Sequence, residues 1–249
     1  MESANASAGL SDALKLFKRD QPVGWPLVAL LLLMPFYVVI GWEFVPGQVQ
    51  NTPATPLDAM FALSPQWSVV YGSLFLAALL PAFVLHDALL FRRTILAYLV
   101  VWVSAIAFFL AYPTLCPRPL RLEGDGYFVW LLRVIYGSDH RYNCFPSLHV
   151  AQCFIAALAC RIVNRRLGDV LLVWAALVAL STVFTKQHYV ADAVAGTVLA
   201  FVACAIMFRD LRSASIAPVL RQLAPALAAT AFAVYASFVL FLWMIYKSA

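Results

Sequence analysis

Seven uninterrupted apolar segments constrain this chain more than any other feature. They run over 24–42, 67–85, 94–112, 146–163, 168–184, 189–208 and 223–246. Each approaches the roughly 20 residues that a helix needs to cross a bilayer. They are continuously apolar rather than alternating, which excludes a β-barrel. An ordinary soluble domain is about 25% charged. This chain of 249 residues is 12% charged and 64% hydrophobic, too little charge to cover a water-facing surface. The same balance excludes intrinsic disorder, and five cysteines are too sparse for a disulfide-stapled scaffold. The fold class expected is all-α: a polytopic membrane helical bundle of about seven transmembrane helices.

The connecting segments carry a charge pattern. Lys15, Lys18 and Arg19 precede the first span, in a stretch over 1–23 that reads as a short interfacial amphipathic helix. The first span follows with no small-residue cleavage site, so it is expected to stay. Arg92 and Arg93, Arg165 and Arg166, and Arg209, Arg212 and Arg221 mark three further basic segments, whereas 43–66 holds Glu43 and Asp58 and no Lys or Arg. The positive-inside rule puts the basic segments in the cytoplasm and leaves 43–66, 113–145, 185–188 and Lys247 on the other face. The net charge of +5 fits this loop bias. No basic stripe suggests a nucleic-acid partner. Segment 113–145 breaks the rule with Arg118, Arg121, Arg133 and Arg141. Within it, Tyr127–Tyr136 is too short to cross and reads as an interfacial lid.

Polar residues at membrane depth are costly and therefore candidates for function. Asp192 is the acid well inside a span, one helical turn after His188, so the carboxylate can hold one ring nitrogen and leave the other free. A structural cap at a helix end would use the same pair. Pro146 and Ser147 read as a helix start, with Ser147 as N-cap and His149 in the first turn. Such a terminus suits an anion, although an ordinary cap needs no ligand. Arg118 stands between Pro117 and Pro119, stiffly held, able to grip phosphate or simply to snorkel. All lie at the same ends of their spans. Two histidines, an acid, an arginine and a helix N-terminus can together perform phosphoryl transfer.

The order Arg118-Pro119, then Pro146-Ser147-x-His149, then Ser181-x6-His188-x3-Asp192 resembles the type-two phosphatidic acid phosphatase superfamily, which includes the haloperoxidase-like phosphatases. The resemblance covers about 67–208. It implies a six-helix core with His188 as nucleophile, Asp192 orienting it, His149 as general acid, and Arg118 and Ser147 binding phosphate. The family's first-motif lysine falls on Ala111 and its third-motif arginine on Thr182. Lys186 is a candidate replacement for a missing phosphate-binding cation. Phe145–His149 with Phe184–Tyr189 is similar to the inositol phosphorylceramide synthase-like branch, whose members pass a head-group phosphate to a lipid alcohol.

These readings divide the chain into an N-terminal interfacial segment (1–23), a first helix and exoplasmic loop (24–66), a catalytic core (67–208) and a cytoplasmic loop with an additional helix (209–249). The expected function is a lipid phosphatase or phosphotransferase acting through phosphohistidine at the exoplasmic face of a bacterial inner membrane. The bilayer and a membrane lipid are its partners. The rival is a non-catalytic lipid transporter or scaffold on the same bundle. His140, His149, His188 and Asp192 could in principle ligate a metal, but no HExxH, paired-cysteine or acidic cluster supports one, so no metal or cofactor is expected. Cys153, Cys160 and Cys204 read as packing residues. Cys116 and Cys144 would be brought close if Arg118 and Ser147 shared one phosphate, and an oxidising setting would then permit a bridge.

Overall fold

The computed structural model describes residues 24–41, 51–211 and 216–248. The amphipathic helix expected over 1–23 lies outside the described residues. The helices are α1 (Trp25–Val39), α2 (Pro65–Val84, opening as 3-10 turns), α3 (Ala88–Ala111), α4 (Tyr127–Ser138), α5 (Leu148–Val163), α6 (Arg165–Phe184), α7 (Val190–Phe208) and α8 (Pro218–Ser248). No strand occurs among the described residues, only two isolated bridges, Asn51–Thr114 and Leu115–Tyr142. Helices α2, α3, α6, α7 and α8 are long and apolar enough to cross a membrane, and α1 and α5 are shorter apolar helices. These seven fall on the seven apolar segments, and α4 falls on the lid segment. The chain is an all-α membrane bundle.

Helix α3 begins six residues before its apolar segment. Asp87 caps it by accepting the Leu90 N–H at 2.7 Å, so Arg92 and Arg93 end the hydropathy signal without ending the helix. The boundary of a helix and the boundary of its membrane-depth portion are different physical quantities.

Helix α5 is the axis of the bundle. It packs against α2, α3, α6, α7 and α8. Ala151, Cys153, Ala156, Ala157, Ala159 and Cys160 are all fully buried along it. Small side chains let neighbouring backbones approach, the usual basis of helix packing where lipid supplies no hydrophobic drive. Helix α8 is peripheral. It presents a stripe of buried alanines, Ala224, Ala228 and Ala231, and packs on α2.

The two ends of the bundle are distinct. At one end Asp58 accepts the Val190 N–H at 2.7 Å, and the Tyr246 hydroxyl donates to the Asp125 carbonyl at 2.6 Å. These contacts bring 51–66, 113–145, 185–188 and the C-terminal end of α8 to one face. At the other end the Asn164 side chain donates to the Arg221 carbonyl at 2.9 Å. Reporter fusions after residues 60, 165 and 215 should read exoplasmic, cytoplasmic and cytoplasmic. A fusion after residue 165 that reads exoplasmic would invert the assignment.

Candidate active site

The turn between α6 and α7 builds the centre of the site. The Thr182 carbonyl accepts the N–H of both Gln187 (2.9 Å) and His188 (3.1 Å), closing the end of α6. Such closures need a left-handed residue, commonly Gly. Here it is Lys186, at φ 56°, although that conformation costs a non-glycine residue roughly 1–2 kcal/mol. The chain then enters α7 with His188 fixed at its mouth.

Asp192 is fully buried and does three things at once. Its Oδ2 accepts the Tyr189 N–H at 2.9 Å and faces His188 Nδ1 at 3.3 Å. Its carbonyl accepts the Ser147 N–H at 3.0 Å, which joins the start of α7 to the start of α5. Ser147 is the N-cap of α5, its hydroxyl accepting the Val150 N–H at 3.3 Å. His149 follows in the first turn, and its Nδ1 lies 3.4 Å from His188 Nε2. The result is a continuous line, His149–His188–Asp192, in which the carboxylate holds one nitrogen of His188 and the other faces His149. The cap reading and the dyad reading of Asp192 are both realised by one carboxylate.

Glycine 196 makes this junction possible. A Cβ there would meet the Ser147 carbonyl oxygen at 2.3 Å. Nothing in the sequence pattern distinguishes Gly196 from other small residues of α7, and only the crossing of the two helices reveals its role.

Arg118 is close to saturated, with 7% of its side chain exposed. Its Nε donates to Gln187 Oε1 at 2.9 Å and an Nη donates to the same oxygen. Further donations reach the carbonyls of Asp139 (2.9 Å), His140 (3.1 Å) and Tyr136 (3.3 Å). Its guanidinium also lies 4.8 Å over the Tyr136 ring. Arg118 thus ties the end of α4 to the residue preceding His188. Arg133 braces the same loop by donating to the Leu122 and Gly124 carbonyls at 2.9 and 2.7 Å. Lys186 is directed elsewhere, its ammonium donating to the Phe61 carbonyl.

A cavity of about 220 Å³ opens beside His149, lined by Tyr71, Leu74, Phe75, Ile135, Ser138 and Asp139. The Tyr71 ring meets the His149 ring edge-on at 5.9 Å. Tyr71, Asp139, Gln187 and Asp58 carried no local signal. They reach the site through long-range packing. His140 lies outside the histidine line, with Nδ1 3.0 Å from the Tyr142 carbonyl, and burial holds its imidazole below the usual histidine range against the opposing pull of Asp139. Among the described residues, the one group with metal-ligand spacing is Cys144, His188 and Asp192. It overlaps only partly with the ligands considered from sequence.

Gly196→Ala should force α7 away from Ser147. Thermal unfolding should show a loss of about 1–3 kcal/mol, the range for overpacking. Gly137→Ala in α4, where a Cβ meets nothing within 4 Å, is the control and should be neutral or slightly stabilising. Equal behaviour of the two variants would refute the close-approach role.

No curated protein and no solved structure matches the chain significantly. The sequence model of the PAP2 superfamily does, over residues 50–206, a stretch that contains every site residue named above. Members of this group are typically phosphatases, and the motif order and the assembled histidine line agree with it. The chain is therefore a phosphatase-type membrane protein and belongs to the PAP2 superfamily.

Proposed function

We propose that this protein is a lipid phosphatase or phosphotransferase at the exoplasmic face of a bacterial inner membrane, working through phosphohistidine. The observation that carries the reading is the His149–His188–Asp192 line, with His188 and Asp192 buried and His149 half-buried, assembled from residues up to 43 positions apart by the crossing of α5 and α7. His188 Nε2 attacks phosphorus while Asp192 holds Nδ1–H and stabilises the positive ring that forms. The bond from phosphorus to the leaving oxygen breaks, and His149 supplies that oxygen's proton. In the second half, water or a lipid alcohol attacks phosphorus, His149 takes its proton, and the P–N bond breaks. Ser147 and the first turn of α5 offer the phosphate a helix N-terminus. Arg118 joins when phosphate oxygens replace Gln187 Oε1 as its acceptor, and Lys186 joins on leaving the Phe61 carbonyl.

One observation favours transfer over hydrolysis. Thr182 stands where the family places an arginine, is fully buried, and donates its hydroxyl to the Ala179 carbonyl at 2.7 Å. A pocket short of that cation suits a phosphodiester, which carries less charge than a monoester. This supports head-group transfer to a lipid alcohol, as in the inositol phosphorylceramide synthase-like branch.

His188→Ala should abolish the phosphorylated intermediate, read by mass spectrometry after an alkaline quench. His149→Ala should slow turnover about 10²–10⁴-fold on lipid substrates and least on activated aryl esters. Product analysis with water and alcohol acceptors separates hydrolase from transferase. Full turnover by His188→Ala overturns the mechanism and reopens the transporter reading.

The exoplasmic placement also bears on two thiols. Cys116 donates its N–H to the Arg141 carbonyl at 2.8 Å, which lays its segment beside the one carrying Cys144. Thr114 Oγ1 accepts the N–H of Cys144 at 2.9 Å. Both cysteines are buried, and burial pushes the Cys144 thiol up. Non-reducing peptide mapping of protein from an oxidising compartment should recover a Cys116–Cys144 cross-linked peptide. Two alkylatable thiols in denatured, unreduced protein would dismiss it.

A further inference from the structure

The end of the bundle remote from the histidines holds a larger recess. A cleft of about 730 Å³ lies between the last turns of α5, the first residue of α6 and the last turns of α7. Arg161, Arg165 and Arg209 line it together with apolar side chains, among them Phe201, Ala205 and Phe208. His149 and Arg161 are twelve residues apart on α5, about 18 Å at the helical rise. The cleft is therefore separate from the histidine site.

The three cations are incompletely matched. Arg161 Nε is held by Asp169 Oδ1 at 2.6 Å, and Arg209 Nε faces Asp210 Oδ2 at 3.3 Å. Each of these arginines keeps its two Nη groups without a protein partner among the described residues, and Arg165 makes no hydrogen bond or ion pair among them. Arg165 and Arg166 also occupy the first turn of α6, where no acid is present. The positive end of the helix dipole disfavours cations there and attracts anions. Asp169 and Asp210 offset two of these four charges and leave an excess of positive potential at the mouth.

The recess has both halves of an amphiphile's requirement. Forked donors at the mouth match phosphate oxygens in a bidentate manner. The apolar wall beside them is built on the ends of α5 and α7, the second of which is long and apolar enough to cross a membrane. Basic pockets between transmembrane helices on the cytoplasmic side suit anionic lipid head groups. We infer that this cleft binds one anionic phospholipid of the cytoplasmic leaflet, with its phosphate among Arg161, Arg165 and Arg209 and an acyl chain against Phe201 and Phe208. The inference uses none of the catalytic chemistry, although its leaflet rests on the exoplasmic placement of the histidine site proposed above. The bound lipid is a resident of the opposite face, not a substrate in turnover.

Native mass spectrometry of the full chain in neutral detergent tests it. Phosphatidylglycerol should be retained at about tenfold lower concentration than phosphatidylcholine of the same chains, as expected for two or three arginines near a phosphate. Arg165→Gln with Arg209→Gln should erase that preference. Ala205→Trp, which leaves every charge in place and fills the wall, should weaken phosphatidylglycerol retention as well. His188→Ala should keep the full preference, which places the lipid outside the histidine site. An unchanged preference in the double arginine variant overturns the proposal. So does displacement of the lipid by millimolar inorganic phosphate, which would mark a simple anion site.

Discussion

The buried carboxylate of Asp192 is the interaction on which the site depends. A carboxylate at zero exposure within a helical bundle is expensive to bury, and here Oδ2 carries its hydrogen bonds while Oδ1 has no hydrogen-bond partner among the described residues. Here the partners are local and long-range together. The Tyr189 N–H and His188 Nδ1 come from its own helix entrance, while its backbone carbonyl takes the Ser147 N–H from α5. The residue that orients His188 is thus the residue that docks one catalytic helix start against the other. Asp58 completes the arrangement from a third segment by satisfying the Val190 N–H. Loss of the carboxylate would free His188 Nδ1 and the Tyr189 N–H, while the backbone link from the Asp192 carbonyl to Ser147 would remain.

Helix α5 converts this local knot into a bundle-wide geometry. Its small, fully buried residues let α2, α3, α6 and α7 close around it. At the end that carries His149, the helix N-terminus presents its positive dipole end, with the Ser147 and Val150 N–H groups already held by the Asp192 carbonyl and the Ser147 hydroxyl. At the opposite end Gly168 lets α6 press against Arg161, where a Cβ would meet the Arg161 Cα at 2.3 Å. One central helix therefore fixes the histidine line at one end of the bundle and the arginine cleft at the other.

Much of this was legible in the sequence because the signals were local. The seven apolar segments, the short aromatic helix of the long loop, the Ser147 cap and the one-turn spacing of His188 and Asp192 each depend on residues near one another in the chain. The unread parts depend on distant segments meeting. Gly196 matters only because α7 crosses the Ser147 carbonyl. Arg118 looked like a free phosphate fork because a sequence does not show which carbonyls surround a guanidinium. It is instead occupied by Gln187 and by three carbonyls at the end of α4. Lys186 looked like a spare cation at the site, but its ammonium donates to the Phe61 carbonyl.

The closed contact between the two histidines sets a condition on any chemistry here. His188 Nε2 and His149 Nδ1 are 3.4 Å apart, which leaves no room for a phosphorus atom between them. His188 is 4% exposed, and the neighbouring cavity touches His149 alone of the two. In the proposed mechanism a substrate must therefore part the rings before attack can occur. The elements that would yield are those joined by Arg118, because it couples the end of α4 to Gln187, the residue immediately before His188. The Tyr136 hydroxyl reinforces the coupling by donating to the Thr185 carbonyl at 2.6 Å. An arriving phosphate offers Arg118 stronger, charged acceptors than the amide oxygen of Gln187. Exchange of that one partner would free the Gln187 side chain, while the Thr182 carbonyl keeps the turn closed through the Gln187 and His188 N–H groups. Within the proposed reading, phosphate recognition by Arg118 would instead be linked to the end of α4, where the guanidinium holds the carbonyl of Asp139, a wall of the cavity beside His149.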